Sequence, residues 1–169
     1  TGRSPRDKFI VRDDVTETTV NWGPVNQPLS PPNFDRLYAK MMAFLQGQEL
    51  YVQDCFAGAD PSYTLPIRVI TQYAWHNLFA RNMFIRPATA ELEGFQPDWT
   101  VLQLPSLEAD PATDGTNSTT AIVIDVQERL VLIAGPAYAG EIKKAVFTVL
   151  NLLLPTKGVM PMHCSANVG

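Results

Sequence analysis

Cysteine and histidine are both scarce, with two of each in 169 residues. Cys55 and Cys164 cannot build a disulfide framework. Together with His76 and His163 they match no C-x-x-C or H-x-x-x-H spacing, so no structural zinc is expected. Long apolar runs are missing too: none approaches the roughly 20 residues that span a bilayer, and residues 1–12 are polar and basic with no apolar stretch behind them. The expectation is a soluble, cytoplasmic chain without a membrane partner, and the lack of an initiating Met suggests a trimmed piece. Positive charge is limited as well. Thirteen Lys and Arg against 17 Asp and Glu leave a net charge of -4, which argues against a polyanion-binding surface. Bases vanish between Pro87 and Glu128, where Glu91, Glu93, Asp98, Glu108, Asp110, Asp114, Asp125 and Glu128 stand alone, while Arg3, Arg6, Lys8 and Arg12 crowd the start.

What remains is 46% apolar, enough for one domain over residues 1–169 with a sizeable core. Residues 9–11 read as a strand fed by a basic loop. Pro24, Pro28, Pro31 and Pro32 mark 22–32 as an extended surface loop, because proline removes a backbone donor and fixes φ. A helix follows from Asn33 as N-cap, with Phe34, Leu37, Tyr38, Met41, Met42 and Leu45 at helical spacing before Gly47. Strands are expected at 49–56 and 65–70, then a helix over 71–82 that buries Trp75, Leu78 and Phe79 and ends before Pro87. A strand at 99–104, a loop over 109–120 and a hairpin of 121–125 with 130–134 come next. A last helix over 140–154 presents Ile142, Val146, Val149, Leu150 and Leu153 and is closed by Pro155. This order predicts an α/β or α+β fold, a mixed sheet with flanking helices.

Three segments carry candidate chemistry. The last helix opens with Lys143 and Lys144, although the unpaired N–H groups of a helix N-terminus favour anions. Either the lysines converge with the helix dipole on a phosphate or carboxylate, or they are two solvent-facing lysines. His163 sits among methionines past that helix and is either a structural residue or the neutral imidazole of a metal site. A Cys164 and His163 nucleophile dyad fails, since adjacent side chains on an extended chain face opposite ways. In the first loop, Gly2 permits close backbone approach and Arg3 offers a planar, bidentate grip on an anion. Alone, that loop reads as a basic terminus. Asn117-Ser118-Thr119 matches a glycosylation pattern without a secretory context to use it.

Five blocks in order resemble the N-terminal part of ATP-dependent phosphoenolpyruvate carboxykinase: residues 1–8 (TGRSPRDK), 67–71 (IRVIT) with 74–75 (AW), 82–87 (NMFIRP), 138–144 (YAGEIKK) and 162–169 (MHCSANVG). The resemblance implies that family's N-terminal domain fold, the substrate-side domain, without its C-terminal nucleotide-binding domain. It implies conversion of oxaloacetate and ATP to phosphoenolpyruvate, CO2 and ADP in gluconeogenesis, by a monomeric enzyme using Mn2+ and a Mg2+ carried with the nucleotide. By resemblance, Arg3 binds the substrate carboxylate and Tyr138 lines the substrate and CO2 pocket. Lys143 and Lys144 are the catalytic lysine pair, Lys144 also touching substrate. Lys144 and His163 ligate the metal and contact the nucleotide. An ammonium has no lone pair, so Lys144 must shed its proton to coordinate, which a dication, Lys143 and the helix N-terminus all promote. Nitrogen ligands also suit manganese better than calcium. These residues are expected to converge on one cleft. Two departures stand out: Gly135-Pro136-Ala137 replaces the usual Gly-Thr-x, and Arg6 stands where Lys is common. The kinase loop G-x-x-x-x-G-K-[ST] is not among these 169 residues, so the fragment alone is expected to be inactive. The rival reading is a non-catalytic anion-binding or interaction module that keeps the fold. A nucleic-acid contact through the first loop ranks last.

Overall fold

The computed structural model describes residues 2–165 and 167–169; Thr1 and Ala166, from the first and last of the five blocks, lie outside the described residues. Seven strands form one mixed sheet: β1 (Lys8–Val11), β2 (Gln27–Leu29), β3 (Tyr51–Ala57), β4 (Leu65–Thr71), β5 (Trp99–Leu104), β6 (Ala121–Asp125) and β7 (Leu130–Ala134), in spatial order β2-β1-β6-β7-β5-β4-β3. The pairs β3/β4 and β6/β7 are antiparallel and the other four are parallel. The α/β expectation holds.

Alternating side chains along each strand feed two cores, one on each face, and each fully buried Leu or Ile contributes about 1.5–3 kcal/mol. On one face, Ile67, Val69, Trp99, Val101, Ile122, Ile124, Val131 and Ile133 pack under α2 (Ala74–Met83) and α5 (Gly140–Leu153), the latter through Ile142, Ala145, Val146 and Val149. On the other, Phe9, Val11, Leu102, Leu104, Val123 and Leu132 meet Phe34, Leu37 and Met41 of α1 (Pro31–Phe44). At the β3/β4 edge the register sets Asp54 opposite Arg68, which donates two bonds to its carboxylate at 2.7 and 2.9 Å. Among the described residues no helix is long and apolar enough to cross a membrane.

Three expectations are corrected here. The proline-rich segment is not all loop: Gln27–Leu29 pairs in parallel with β1, and α1 begins at Pro31 with Ser30 as N-cap in place of Asn33. Prolines suit the first helical positions, whose N–H groups have no intrahelical acceptor. The buried face of α2 is also different. Trp75 and Leu78 are exposed, Phe79 is half-buried, and His76 and Ala80 are fully enclosed. Finally, the acidic middle holds two short helices, α3 (Thr89–Leu92) and α4 (Pro111–Asp114), the second capped by Asp110 through the Ala112 N–H.

Candidate active site

Between β7 and α5 the chain turns sharply over residues 135–139. Gly135 adopts φ +91°, and a Cβ there would lie 2.8 Å from the Thr119 carbonyl oxygen, so a side chain is excluded on both counts. Two buried side chains fix the next carbonyls: Gln103 Nε2 donates to Pro136 O at 3.0 Å, and His76 Nε2 donates to Ala137 O at 2.9 Å. A carbonyl only accepts, which fixes the proton of neutral His76 on Nε2. Burial pushes the His76 pKa below its ordinary value, and the carbonyl contact opposes this only in part. Tyr138 follows, its ring close against Gly140, where a Cβ would stand 2.6 Å from two ring carbons.

The first turn of α5 carries Glu141, which is wholly buried. Its Oε2 lies 2.9 Å from Lys8 Nζ at the start of β1, and its Oε1 accepts the Ser4 backbone N–H at 3.2 Å. The basic loop is tied down further along as well. Gln27 Nε2 and Asn117 Nδ2 both donate to Arg6 O, at 2.9 and 2.6 Å, and Ser118 Oγ donates to Asp7 at 2.8 Å. The loop is thus seated on the domain, and the Asn117 amide that a glycosylation motif would offer is already committed to two acceptors.

Because α5 covers β6 and β7 but not β1, a groove of about 500 Å³ opens beside it. Ile10, Ile122 and Ile124 form an apolar floor, with Arg3, Arg6, Lys8 and Lys144 as its cationic rim. Arg3 and Lys144, more than a hundred residues apart in sequence, therefore share one groove. The other candidates lie around it. His163 is exposed and packs edge-on against Phe147, ring centroids 5.8 Å apart, and Phe147 in turn lines the groove. Lys143 faces a smaller cavity with Phe56, Met83 and Ile85, and Tyr138 a third with Trp75 and Phe79. The structure thus joins Arg3 and Lys144, sets His163 one aromatic ring away, and puts Lys143 and Tyr138 in neighbouring cavities, not in the single cleft expected.

The donor set accommodates part of a metal site. Among the described residues neither Lys144 Nζ nor the His163 ring has a hydrogen-bond or ion-pair partner. A neutral amine and an imidazole offer two nitrogen donors of the type that suits a transition-metal dication. No group of three or more His, Cys, Asp or Glu that could hold a metal ion occurs among the described residues, and the two nitrogens stand apart, Lys144 on the groove and His163 against Phe147.

Glu141, Lys8, Gln103 and His76 were not legible as site residues. An acid in the first helical turn normally signals only a favourable dipole contact at the surface. The signal that separates Glu141 from that case is burial against a lysine 133 positions earlier, which only the fold supplies.

Comparison with known proteins gives a consistent picture. The family model for phosphoenolpyruvate carboxykinase matches residues 1–169. The chain is 55% identical over 169 residues to the phosphoenolpyruvate carboxykinase (ATP) of Deinococcus radiodurans, covering all of this chain and 36% of that protein. The same enzyme of Geobacter sp. (strain M21) is 55% identical over 169 residues, and that of Geobacillus kaustophilus 54% over 170, with 100% of this chain and 32% of each relative covered. The chain therefore spans about a third of the length of the curated relatives it matches.

Proposed function

Because the chain belongs to the phosphoenolpyruvate carboxykinase family, we propose that it forms the substrate-side, N-terminal domain of a monomeric, cytoplasmic, ATP-dependent carboxykinase. The complete enzyme is a gluconeogenic carboxy-lyase taking oxaloacetate and ATP to phosphoenolpyruvate, CO2 and ADP. Arg3 grips an oxaloacetate carboxylate in the bidentate manner its planar fork allows. The apolar floor of Ile122 and Ile124 keeps water away from the reacting carbons, and Arg3 and Arg6 on the groove's rim, with Lys143 in the neighbouring cavity, supply positive charge while Lys144 serves as the neutral amine. When the bond to the departing carboxylate breaks, its electron pair remains on the substrate as an enolate, which that positive field favours. Tyr138, whose ring lies against the bare Cα of Gly140, lines the neighbouring cavity with Trp75 and Phe79, which this reading assigns as the exit for CO2. Lys144 and His163 would hold the Mn2+, which when bound would supply Lewis-acid chemistry next to the developing negative charge. Transfer of the γ-phosphoryl group to the enolate oxygen would need ATP with its Mg2+ and the kinase loop, and residues 1–169 do not contain that loop.

The observation that supports this reading best is the shared groove of Arg3 and Lys144. In a complete carboxykinase carrying this segment, Arg3→Ala is expected to raise KM for oxaloacetate at least ~10-fold and leave KM for ATP within about twofold, as loss of a charge-assisted, substrate-only contact requires. An unchanged oxaloacetate KM would contradict the assignment. The 169-residue chain by itself is expected to form no phosphoenolpyruvate from oxaloacetate, ATP and Mn2+; turnover comparable to a complete enzyme would overturn the division of labour.

A further inference from the structure

We propose that Glu141 is a positioning residue for substrate binding: its buried carboxylate clamps the loop bearing Arg3 onto the helix bearing Lys144. A carboxylate placed at a helix start for its dipole alone has no reason to leave water, whereas Glu141 is fully enclosed. Removing an anion from water is costly unless opposite charge and donors meet it. Both groups that meet this one come from a single distant segment, the Ser4 N–H beside Arg3 and the Lys8 ammonium where β1 begins.

Stability alone does not call for such a pair, because an apolar pair of similar volume would fill the same space at least as well. What an apolar pair lacks is direction. The hydrogen bond from the Ser4 N–H to Glu141 Oε1 fixes where Ser4 sits relative to α5, with the Lys8 ion pair balancing the charge beside it, and a substrate grip needs that degree of placement. The remaining anchors act elsewhere: Gln27, Asn117 and Ser118 hold Arg6 and Asp7, and the turn bond from Asp7 N to Ser4 O spans 3.2 Å within the loop itself. Among the described residues, Glu141 makes the hydrogen bond and the ion pair that join the Arg3 end of the loop to α5. The inference rests on the reading of Arg3 as the carboxylate grip.

The test uses a complete carboxykinase carrying this segment, with Glu141→Gln, the apolar pair Lys8→Met with Glu141→Met, Arg3→Ala, and their combinations. Both Glu141 variants are expected to raise oxaloacetate KM about tenfold, with kcat and ATP KM changing less than about twofold, as removal of a binding-only contact predicts. The apolar pair avoids stranding a buried charge, so it reports on placement even if Glu141→Gln folds poorly. In the Arg3→Ala background neither is expected to add more than about twofold, since residues acting as one unit are non-additive. Hydrogen exchange at the Ser4 amide is expected to accelerate at least ~10-fold in the apolar pair, whatever Arg3 does. The clamp is overturned if Arg3→Ala raises KM and the Glu141 variants do not, if their full effect persists without the Arg3 side chain, or if Ser4 exchange is unchanged. If Arg3→Ala itself leaves KM unchanged, the carboxylate reading fails and takes the purpose of the clamp with it, a result distinct from failure of the clamp alone.

Discussion

Acidification from pH 7.5 to 5.5 is expected to destabilise this chain through His76, and His76→Gln should abolish that component. The imidazole is fully buried, donates through Nε2 to Ala137 O at 2.9 Å, and has no partner for Nδ1 among the described residues. Burial lowers its pKa in the folded state below the ordinary value of about 6.5 that the unfolded chain keeps. The sign follows directly. Near pH 7.5 neither state binds the proton and His76 contributes no pH dependence. As pH falls through about 6.5 the unfolded chain takes up a proton that the folded chain refuses, so stability drops, with a limiting slope of about 1.4 kcal/mol per pH unit. The loss levels off once pH passes below the folded-state value, so at pH 5.5 it amounts to at most about 1.4 kcal/mol. Urea unfolding of the wild-type chain and of His76→Gln at half-unit pH steps reads the difference. Glutamine can still donate an N–H to Ala137 O, and carboxylates titrating in both proteins cancel. A difference that stays flat from pH 7.5 to 5.5 would show that His76 is not held neutral in the fold, and the account of residues 135–139 as a turn pinned by an uncharged donor would fail.

Asp125 works in the opposite direction: it is buried, burial raises its pKa above the usual carboxylate range, and the Glu128 N–H at 2.8 Å offsets this only in part. Asp125→Asn, with an acceptor kept for that N–H, should therefore stabilise the chain by about 0.5–1 kcal/mol at pH 7 in urea unfolding, and the gain should shrink as pH falls towards 4. Thiol labelling of the native chain should modify the exposed Cys164 and spare Cys55, whose thiol burial pushes up to about 12; Cys55 should react only on unfolding. Gly135→Ala should cost about 1–3 kcal/mol by thermal unfolding, because it combines a left-handed backbone with a backbone oxygen 2.8 Å from the new Cβ.

Elements whose partners are supplied by their own pattern were legible. The strands Trp99–Leu104, Ala121–Asp125 and Leu130–Ala134 fall where β-branched and aliphatic runs put them, and α5 starts at the expected Gly140 with Ile142, Val146 and Val149 inside. Elements defined by a remote neighbour were not. Trp75 and Leu78 have the size that usually marks a buried face, yet α2 turns His76 and Ala80 inward. The His76 ring finds the Ala137 carbonyl, and small Ala80 fits beneath the helix against the sheet. Likewise, Pro31 and Pro32 signal loop until it is known that a helix begins there, since a missing N–H costs nothing at that position. For the site, the lysine pair stood out because it broke a local rule, while Glu141 obeyed one and passed unnoticed until Lys8 was seen beside it.

The seating of β1 carries a consequence for biosynthesis. Its inner neighbour is β6, with Phe9 aligned to Val123, and the acid that receives Lys8 comes later still. On the ribosome, β1 emerges well before β6, finds β2 to pair with, and must wait for most of this chain before its other edge is covered. The Arg3 loop is therefore translated long before the helix that seats it, so a stalled nascent polypeptide ending before β6 would expose an unpaired strand edge for chaperones to shield.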